Sequence, residues 1–289
     1  MQPGQPSRTA LSAAAHRAAH QILEEGRIFA DPLALRILGQ DEESLLREAQ
    51  SHPLRRVMRL FIAVRTRFAE DALAAAVERG ARQLVVLGAG LDTYAYRSPF
   101  GDRLRVFEVD YPATQAWKRR QLAAAGIPVA GTVTFAAVDF ERQKLAEGLA
   151  EAGFECGQQT FFTWLGVVPY LTAEAVWETL GFIAGLSGGA HVVFDYGEPP
   201  EVLEPEARQA YEAYRARVAS LGEAWICHFE AEKLQATLAA LGFVEVEDLG
   251  PPEIAARYFP SRAEPARDRG GHILRASTLR PARPVGRGR

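Results

Sequence analysis

The residues whose types and spacing can do chemistry stand at the ends of short apolar runs. Gln83-Leu84-Val85-Val86-Leu87 leads directly into Gly88-Ala89-Gly90-Leu91-Asp92-Thr93. A glycine turn after a buried strand lets a ligand approach the backbone closely, and it serves a tight strand–helix turn equally well. A dinucleotide fold wants GxGxxG, so that pyrophosphate meets the N-terminus of the next helix. Here the third glycine is missing, and Asp92 places negative charge where pyrophosphate would sit. That argues against a nicotinamide dinucleotide and suits a cofactor carrying an ammonium and a sulfonium.

The second run, Leu104 to Val109, delivers Glu108 and Asp110 to the same side by strand alternation. A carboxylate at such a tip can accept both ribose hydroxyls, with Asp110 preferred and Glu108 in support. Asp110 also precedes Tyr111-Pro112, so a capping role at a helix start stays open. The third run, Thr132 to Val138, ends in Asp139-Phe140. Phe140 can line an adenine pocket and Asp139 can accept its exocyclic amine, or Asp139 caps the following helix.

Candidates for the reacting partner are Tyr96, Arg97, Tyr111, Trp164, Tyr170, Asp195, Tyr196 and His228. Arg97 can anchor an anionic acceptor or close a structural ion pair. Tyr170 can hold the nucleophile or belong to a packed turn after Pro169. His228 is the candidate base, with a structural histidine as the alternative. His16, His20 and His52 lack metal-ligand spacing, and Cys156 and Cys227 form no CxxC, so no metal is expected.

The elements that must position these residues follow from periodicity. Thr9 to Gly80 is helical, with a stripe through Leu54, Val57, Met58, Phe61, Ile62, Arg65 and Phe68, a break at Asp31-Pro32 and a glycine cap at Gly80. Further strands are expected over Gln159–Leu165 and His191–Tyr196, and helices over Ala113–Ala125, Glu141–Glu151 and Thr172–Leu186. Alternating strand and helix imply a parallel sheet wrapped on both faces. The charged helix Glu204–Ser220 is a cover over a site or a surface helix. Glu230–Leu241 is a helix, and Gly242–Leu249 with His272–Leu279 makes an antiparallel pair joined by a loop.

These blocks together resemble the leucine carboxyl methyltransferase-like family of S-adenosylmethionine-dependent enzymes. The resemblance rests on Val64-Arg65-Thr66-Arg67-Phe68, on Leu87 through Arg97, on Phe107 through Gln115 with Lys118, and on Trp164 through Thr172, in the family's order between about Phe29 and Tyr196. It implies a class I methyltransferase (Rossmann-like) α/β fold. That fold has a seven-stranded sheet, mostly parallel with an antiparallel edge strand, plus an N-terminal helical cap and a lid insertion. The implied organisation is one domain over 8–280: cap 8–80, cofactor-binding core 81–199, lid 200–230 and the rest of the sheet 231–280, with flexible tails at 1–7 and 281–289.

The cofactor so implied is S-adenosyl-L-methionine, leaving as S-adenosyl-L-homocysteine. Arg65 would pair with its carboxylate, which a guanidinium grips bidentately. Gly88, Ala89 and Gly90, with Asp92, would underlie the methionine part. Asp110 with Tyr111 would take the ribose, Asp139 and Phe140 the adenine. Trp164 and Leu165 would lie near the amino group, with Leu165 in place of an acidic residue common in the family. The implied activity is O-methylation of a carboxylate or phenolic hydroxyl of a small metabolite, with Tyr170, His228 and Arg97 as catalytic candidates. Alternatives are methyl esterification of a protein C-terminus, a nicotinamide-dependent oxidoreductase, or a non-catalytic nucleotide-binding protein.

Bulk properties agree with such a chain. A net charge of −3 over 289 residues advertises no nucleic-acid partner. No run spans a bilayer, the first residues lack an apolar leader core, and two cysteines form no disulfide framework, so a cytoplasmic setting is expected. The basic end, Arg280 to Arg289, is a contact arm or a solvated tail. The expected partner is a small molecule, with no nucleic acid or membrane, for a monomer or weak homodimer.

Overall fold

The computed structural model describes residues 7–139, 143–220, 224–261 and 269–280, with backbone alone at 217, 218 and 220. Four helices come first: α1 (Arg8–Leu23), α2 (Ala34–Leu38), α3 (Glu42–Gln50) and α4 (Pro53–Glu78). Then follow β1 (Gln83–Leu87), β2 (Arg105–Asp110), α5 (Pro112–Ala124), β3 (Val133–Ala137), α6 (Leu145–Glu151), β4 (Thr160–Trp164), α7 (Ala173–Ala184) and β5 (Ala190–Gly197). The chain continues through α8 (Pro205–Ser220), α9 (Ala231–Leu241), β6 (Glu245–Leu249), α10 (Pro251–Tyr258) and β7 (Gly271–Ser277).

The strands form one sheet in the order β3-β2-β1-β4-β5-β7-β6. β1 to β5 are parallel, while β7 runs against both β5 and β6. The expected antiparallel pair is present. The reversed strand β7 lies one position in from the edge, and β6 closes it. The order reverses on either side of β1, and such a switch point opens a crevice at the carboxyl ends of the strands.

Alternation along each strand divides the core between two faces. Val85, Leu87, Phe107, Phe162, Trp164 and Phe194 pack with Leu149 of α6, Leu180 of α7 and Leu238 of α9. Leu84, Val86, Val106 and Phe161 pack with Val64, Phe68, Leu73 and Ala76 of α4 and Ile254 of α10. Helix α4 is therefore a wall of the main core, and a boundary at residue 80 would cut through shared packing. Only α1 to α3 form a separate cluster, sealed by Leu91, Leu122 and Ile127.

Two local expectations change. Ser7 is fixed: its hydroxyl accepts from Ala10 N at 3.0 Å and caps α1, and its own N–H donates to Thr114 Oγ1 at 3.2 Å. The segment between β6 and β7 carries a helix, α10, where a loop was expected. Gly250-Pro251-Pro252 reads as a turn, yet prolines are tolerated in a first helical turn, whose N–H groups have no intrahelical acceptor. Residues 1–6 and 281–289, expected as tails, lie outside the described residues. No helix among the described residues is long and apolar enough to cross a membrane.

Candidate functional site

A cavity of about 2130 Å³ opens at the carboxyl ends of β1 to β5. A single drug-sized ligand occupies about 300–1,000 Å³. The space is large enough for two such molecules. Strand tips line it, with Gly88 to Asp92, Asp110, Tyr111, Asp139, Leu165 and Gly166. Aromatic side chains line it too: Phe61, Tyr170, Tyr211, Tyr214, Trp225 and Tyr258. Helix α8 contributes Ala207, Ala210, Tyr211 and Tyr214, so it covers the cavity and is more than a surface helix.

The glycine loop owes its glycines to the protein itself. Gly88 and Gly90 have positive φ of 66° and 42°. A Cβ at Gly88 would stand 2.4 Å from Val167 Cγ2, and one at Gly90 would stand 3.0 Å from Ala10 Cβ of α1. Asp110 ties the loop down. Its Oδ2 accepts from Gly90 N at 2.5 Å and its Oδ1 from Tyr111 N at 2.7 Å. The carboxylate thus orders the strand tip and the helix entry together.

Beneath the loop lies a buried ion pair. Lys118 Nζ is 2.8 Å from Glu108 Oε1, with both side chains 1% exposed. Lys118 also donates to Ala89 O at 3.4 Å, and Tyr96 Oη donates to Glu108 Oε2 at 2.8 Å. Burial raises the Glu108 pKa against the pull of Lys118 and Tyr96. Glu108 shares a side with Asp110 as expected, but it supports the loop through Lys118.

Asp92 has a different setting from the one its position suggests. Its Oδ1 accepts from Tyr94 N at 2.8 Å. Burial pushes its pKa up, and Arg17, Lys118, Arg97 and the Tyr94 N–H outweigh that and hold it below the ordinary value. With three cations around it, its charge repels a pyrophosphate less than the sequence implies. The place of the third glycine is taken by Thr93, fully buried, whose hydroxyl donates to Asp31 Oδ2 at 2.7 Å.

Arg65 lies in the cavity wall, 8% exposed. Its Nη1 donates to Asp195 Oδ2 at 2.8 Å, and Asp195 Oδ1 accepts from Gly166 N at 2.6 Å. Its Nε is buried without a hydrogen-bond partner among the described residues. A Cβ at Gly166 would stand 2.5 Å from Arg65 Nη2. A buried guanidinium donor without a partner in a cavity wall fits an anionic ligand group, and the carboxylate of an amino-acid cofactor matches it.

Three sequence-based roles need correction or lie out of view. Arg97 is absent from the cavity wall. Its Nη1 and Nη2 both bond Glu70, its Nε donates to Thr93 Oγ1 at 3.1 Å, and it lies over the Phe29 ring at 5.0 Å. It is a structural ion pair, since Nε, Nη1 and Nη2 each already have an acceptor within the protein. Trp164 is fully buried against Phe194 on the far face of the sheet. Its neighbours Thr163 and Leu165 line the cavity, as the two-residue period of a strand requires. Phe140 lies outside the described residues, while Asp139 beside it reaches the cavity.

Among the aromatic side chains, burial pushes the Tyr170 phenol up to about 12, with Trp225 and Thr9 beside it. The Tyr211 hydroxyl and His228 Nε2 share a hydrogen bond. Burial, followed by the charge of Arg215, lowers the His228 pKa. The wall carrying His228 is fastened by Ile226 N to Pro169 O at 2.8 Å and Phe229 N to Gly197 O at 3.1 Å. By contrast Tyr196 is engaged elsewhere, donating to Asp248 Oδ2 at 2.7 Å and stacking on His272. Among the described residues no group of three or more His, Cys, Asp or Glu can hold a metal ion.

Several site residues were not singled out from sequence. Arg17 of α1 is buried in the wall and donates to Leu91 O. Gly166, Tyr211, Trp225 and Tyr258 also face the cavity. The one local signal that could have located α10 is proline at its first helical position after Gly250, which reads equally as a turn. Nothing local announces Arg17, whose partners come from the glycine loop and from Asp31.

The chain is similar to known proteins. A YktD protein of Bacillus subtilis (strain 168), named among S-adenosyl-L-methionine-dependent methyltransferases, is 32% identical over 205 residues, covering 69% of this chain and 66% of its own. A Mycobacterium marinum (strain ATCC BAA-535 / M) protein named in the same way is 33% identical over 213 residues, 70% of either chain. Against three of the curated relatives the chain spans 66%, 63% and 43% of their length. A crystal structure from Bordetella parapertussis covers 97% of this chain and 100% of its own, with a TM-score of 0.50 at 16% identity, a likeness of fold. The family model described as leucine carboxyl methyltransferase matches residues 10–184, and the chain belongs to that family.

Proposed function

We propose that this protein is an S-adenosyl-L-methionine-dependent O-methyltransferase acting on a carboxylate or phenolic hydroxyl of a small metabolite. The observation that carries the reading is one cavity lined both by Arg65, the Gly88–Asp92 loop, Asp110 and Asp139 and by a set of aromatic side chains. Arg65 would hold the cofactor carboxylate, the loop the methionine chain, Asp110 the ribose and Asp139 the adenine amine. When bound, S-adenosyl-L-methionine supplies an electrophilic methyl group.

The chain's own contribution is alignment and exclusion of water. Orienting two reactants in one cavity is worth on the order of 7–11 kcal/mol of barrier. Tyr170 stays protonated at neutral pH and can donate a hydrogen bond to the acceptor, but it is no base. His228 favours its neutral form and can take the proton of a phenol, with Tyr211 orienting its ring. A carboxylate acceptor needs no base.

Calorimetric titration with S-adenosyl-L-homocysteine and with NADH tests the reading. Micromolar binding of the first and none of the second is expected. Preferential binding of NADH would overturn it in favour of an oxidoreductase.

A further inference from the structure

Asp195 is the residue whose surroundings the reading above leaves unexplained. It stands near the end of β5, 4% exposed, and both its oxygens are used. One accepts from Arg65 Nη1 at 2.8 Å, the other from Gly166 N at 2.6 Å. All three residues line the cavity. Arg65 comes from α4, Gly166 from the turn after β4 and Asp195 from β5, so one carboxylate joins three elements at the cavity wall.

The geometry of the guanidinium gives this junction a direction. Nη1 is spent on Asp195. The opposite edge, Nε with Nη2, is the pair of parallel donors that matches a carboxylate bidentately. Nε on that edge is buried and unpartnered. Gly166, at φ 71°, lies against the outer end of the guanidinium, where a Cβ would stand 2.5 Å from Nη2, 2.9 Å from Nη1 and 3.0 Å from Cζ. Asp195 holds the loop bearing Gly166 in that left-handed turn through Oδ1, while its Oδ2 balances the Arg65 charge.

We propose that Asp195 and Gly166 are positioning residues: together they aim the Nε–Nη2 edge of Arg65 at the carboxylate of the amino-acid part of the cofactor. The proposal rests on the cofactor reading. It adds that selection for a cofactor bearing that carboxylate is built by Asp195 and Gly166. A cation held only by flexible water would lose aim. A cation held by a buried carboxylate on its far side keeps one orientation, and a charged hydrogen bond so oriented is worth about a factor of ten or more in affinity.

The test compares two ligands that differ in the amino-acid part alone, S-adenosyl-L-homocysteine and 5′-methylthioadenosine, by calorimetry. Asp195→Asn preserves shape and the acceptor for Gly166 N but removes the charge facing Arg65. Gly166→Ala places a methyl group beside Nη2 and leaves Asp195 in place. In both variants the affinity for S-adenosyl-L-homocysteine should fall about tenfold or more, while that for 5′-methylthioadenosine stays within about twofold. Far-ultraviolet circular dichroism and melting curves verify that each is folded, and either variant alone suffices. Equal losses for both ligands would reduce Asp195 to a structural role and overturn the proposal, as would unchanged affinity for both. Failure of the unsubstituted protein to bind either ligand would instead overturn the cofactor reading on which the proposal stands.

Discussion

Replacing Lys118 by methionine isolates the buried pair beneath the glycine loop. The substitution keeps most of the side-chain volume and removes the cation 2.8 Å from Glu108. Among the described residues the Tyr96 hydroxyl, at 2.8 Å, is then the remaining side-chain donor to the Glu108 carboxylate, in a site 1% exposed. An unpaired buried charge costs about 3–5 kcal/mol, unless the group takes a proton instead. Protonating a carboxyl of ordinary pKa 4.5 at pH 7 costs about 1.36 kcal/mol per unit, or about 3.4 kcal/mol. That is the ceiling which protonation sets on the loss.

The sign with pH follows from the raised Glu108 pKa. A carboxyl whose folded pKa lies above its unfolded value favours the fold fully below pH 4.5, and this contribution is lost as pH rises through the folded value. Removing Lys118 raises the folded pKa further, so the penalty grows with pH. It is bounded by that ceiling, at most about 3 kcal/mol at pH 7 and about 1 kcal/mol at pH 5.5. With an unfolding entropy of about 2.1 cal/mol/K per residue, 289 residues convert these into melting shifts of at most about 5 °C and 2 °C. Differential scanning calorimetry of Lys118→Met at the two pH values measures both. Equal shifts at the two pH values, or a shift below about 1 °C at pH 7, would refute the reasoning.

Arg97→Gln should lower the melting temperature by several degrees, because it strands Glu70, while S-adenosyl-L-homocysteine affinity stays within about twofold by calorimetry. Asp110→Ala should weaken S-adenosyl-L-homocysteine about tenfold or more, since the Gly90 and Tyr111 N–H groups lose their acceptor and the ribose its ligand. For a phenolic acceptor, kcat should stay level from pH 8 down to about 6.5 and fall below it, because burial holds His228 neutral to a lower pH than usual. His228→Ala should remove that limb and lower kcat about 100-fold for phenols, with little effect on carboxylate acceptors.

Much of the scaffold was legible from local pattern. β1 was readable to its ends because an apolar five-residue run closed by glycine has few other uses. The tips carrying Asp110 and Asp139 were located for the same reason. Helix α10 was hidden by two prolines, whose missing N–H groups cost nothing in its first turn. Arg97 was misplaced for a different reason. Its type and its position after the glycine loop suit an anionic ligand as well as a carboxylate, and its partners Glu70 and Asp31 come from distant parts of the chain.

The same division holds for the site as a whole. The sequence by itself determined which residues stand at the carboxyl ends of the strands, since apolar period and glycine turns act over a few residues. It did not determine which face each tip residue takes, and so Trp164 went to the core while Leu165 and Gly166 reached the cavity. Nor did it determine what closes the cavity or which charges meet. Ala10 of α1 against Gly90, α8 and α10 in the cavity wall, Lys118 on Glu108 and Asp195 on Arg65 are contacts between distant segments. Their energies depend on distance and burial, which exist only once the sheet has assembled.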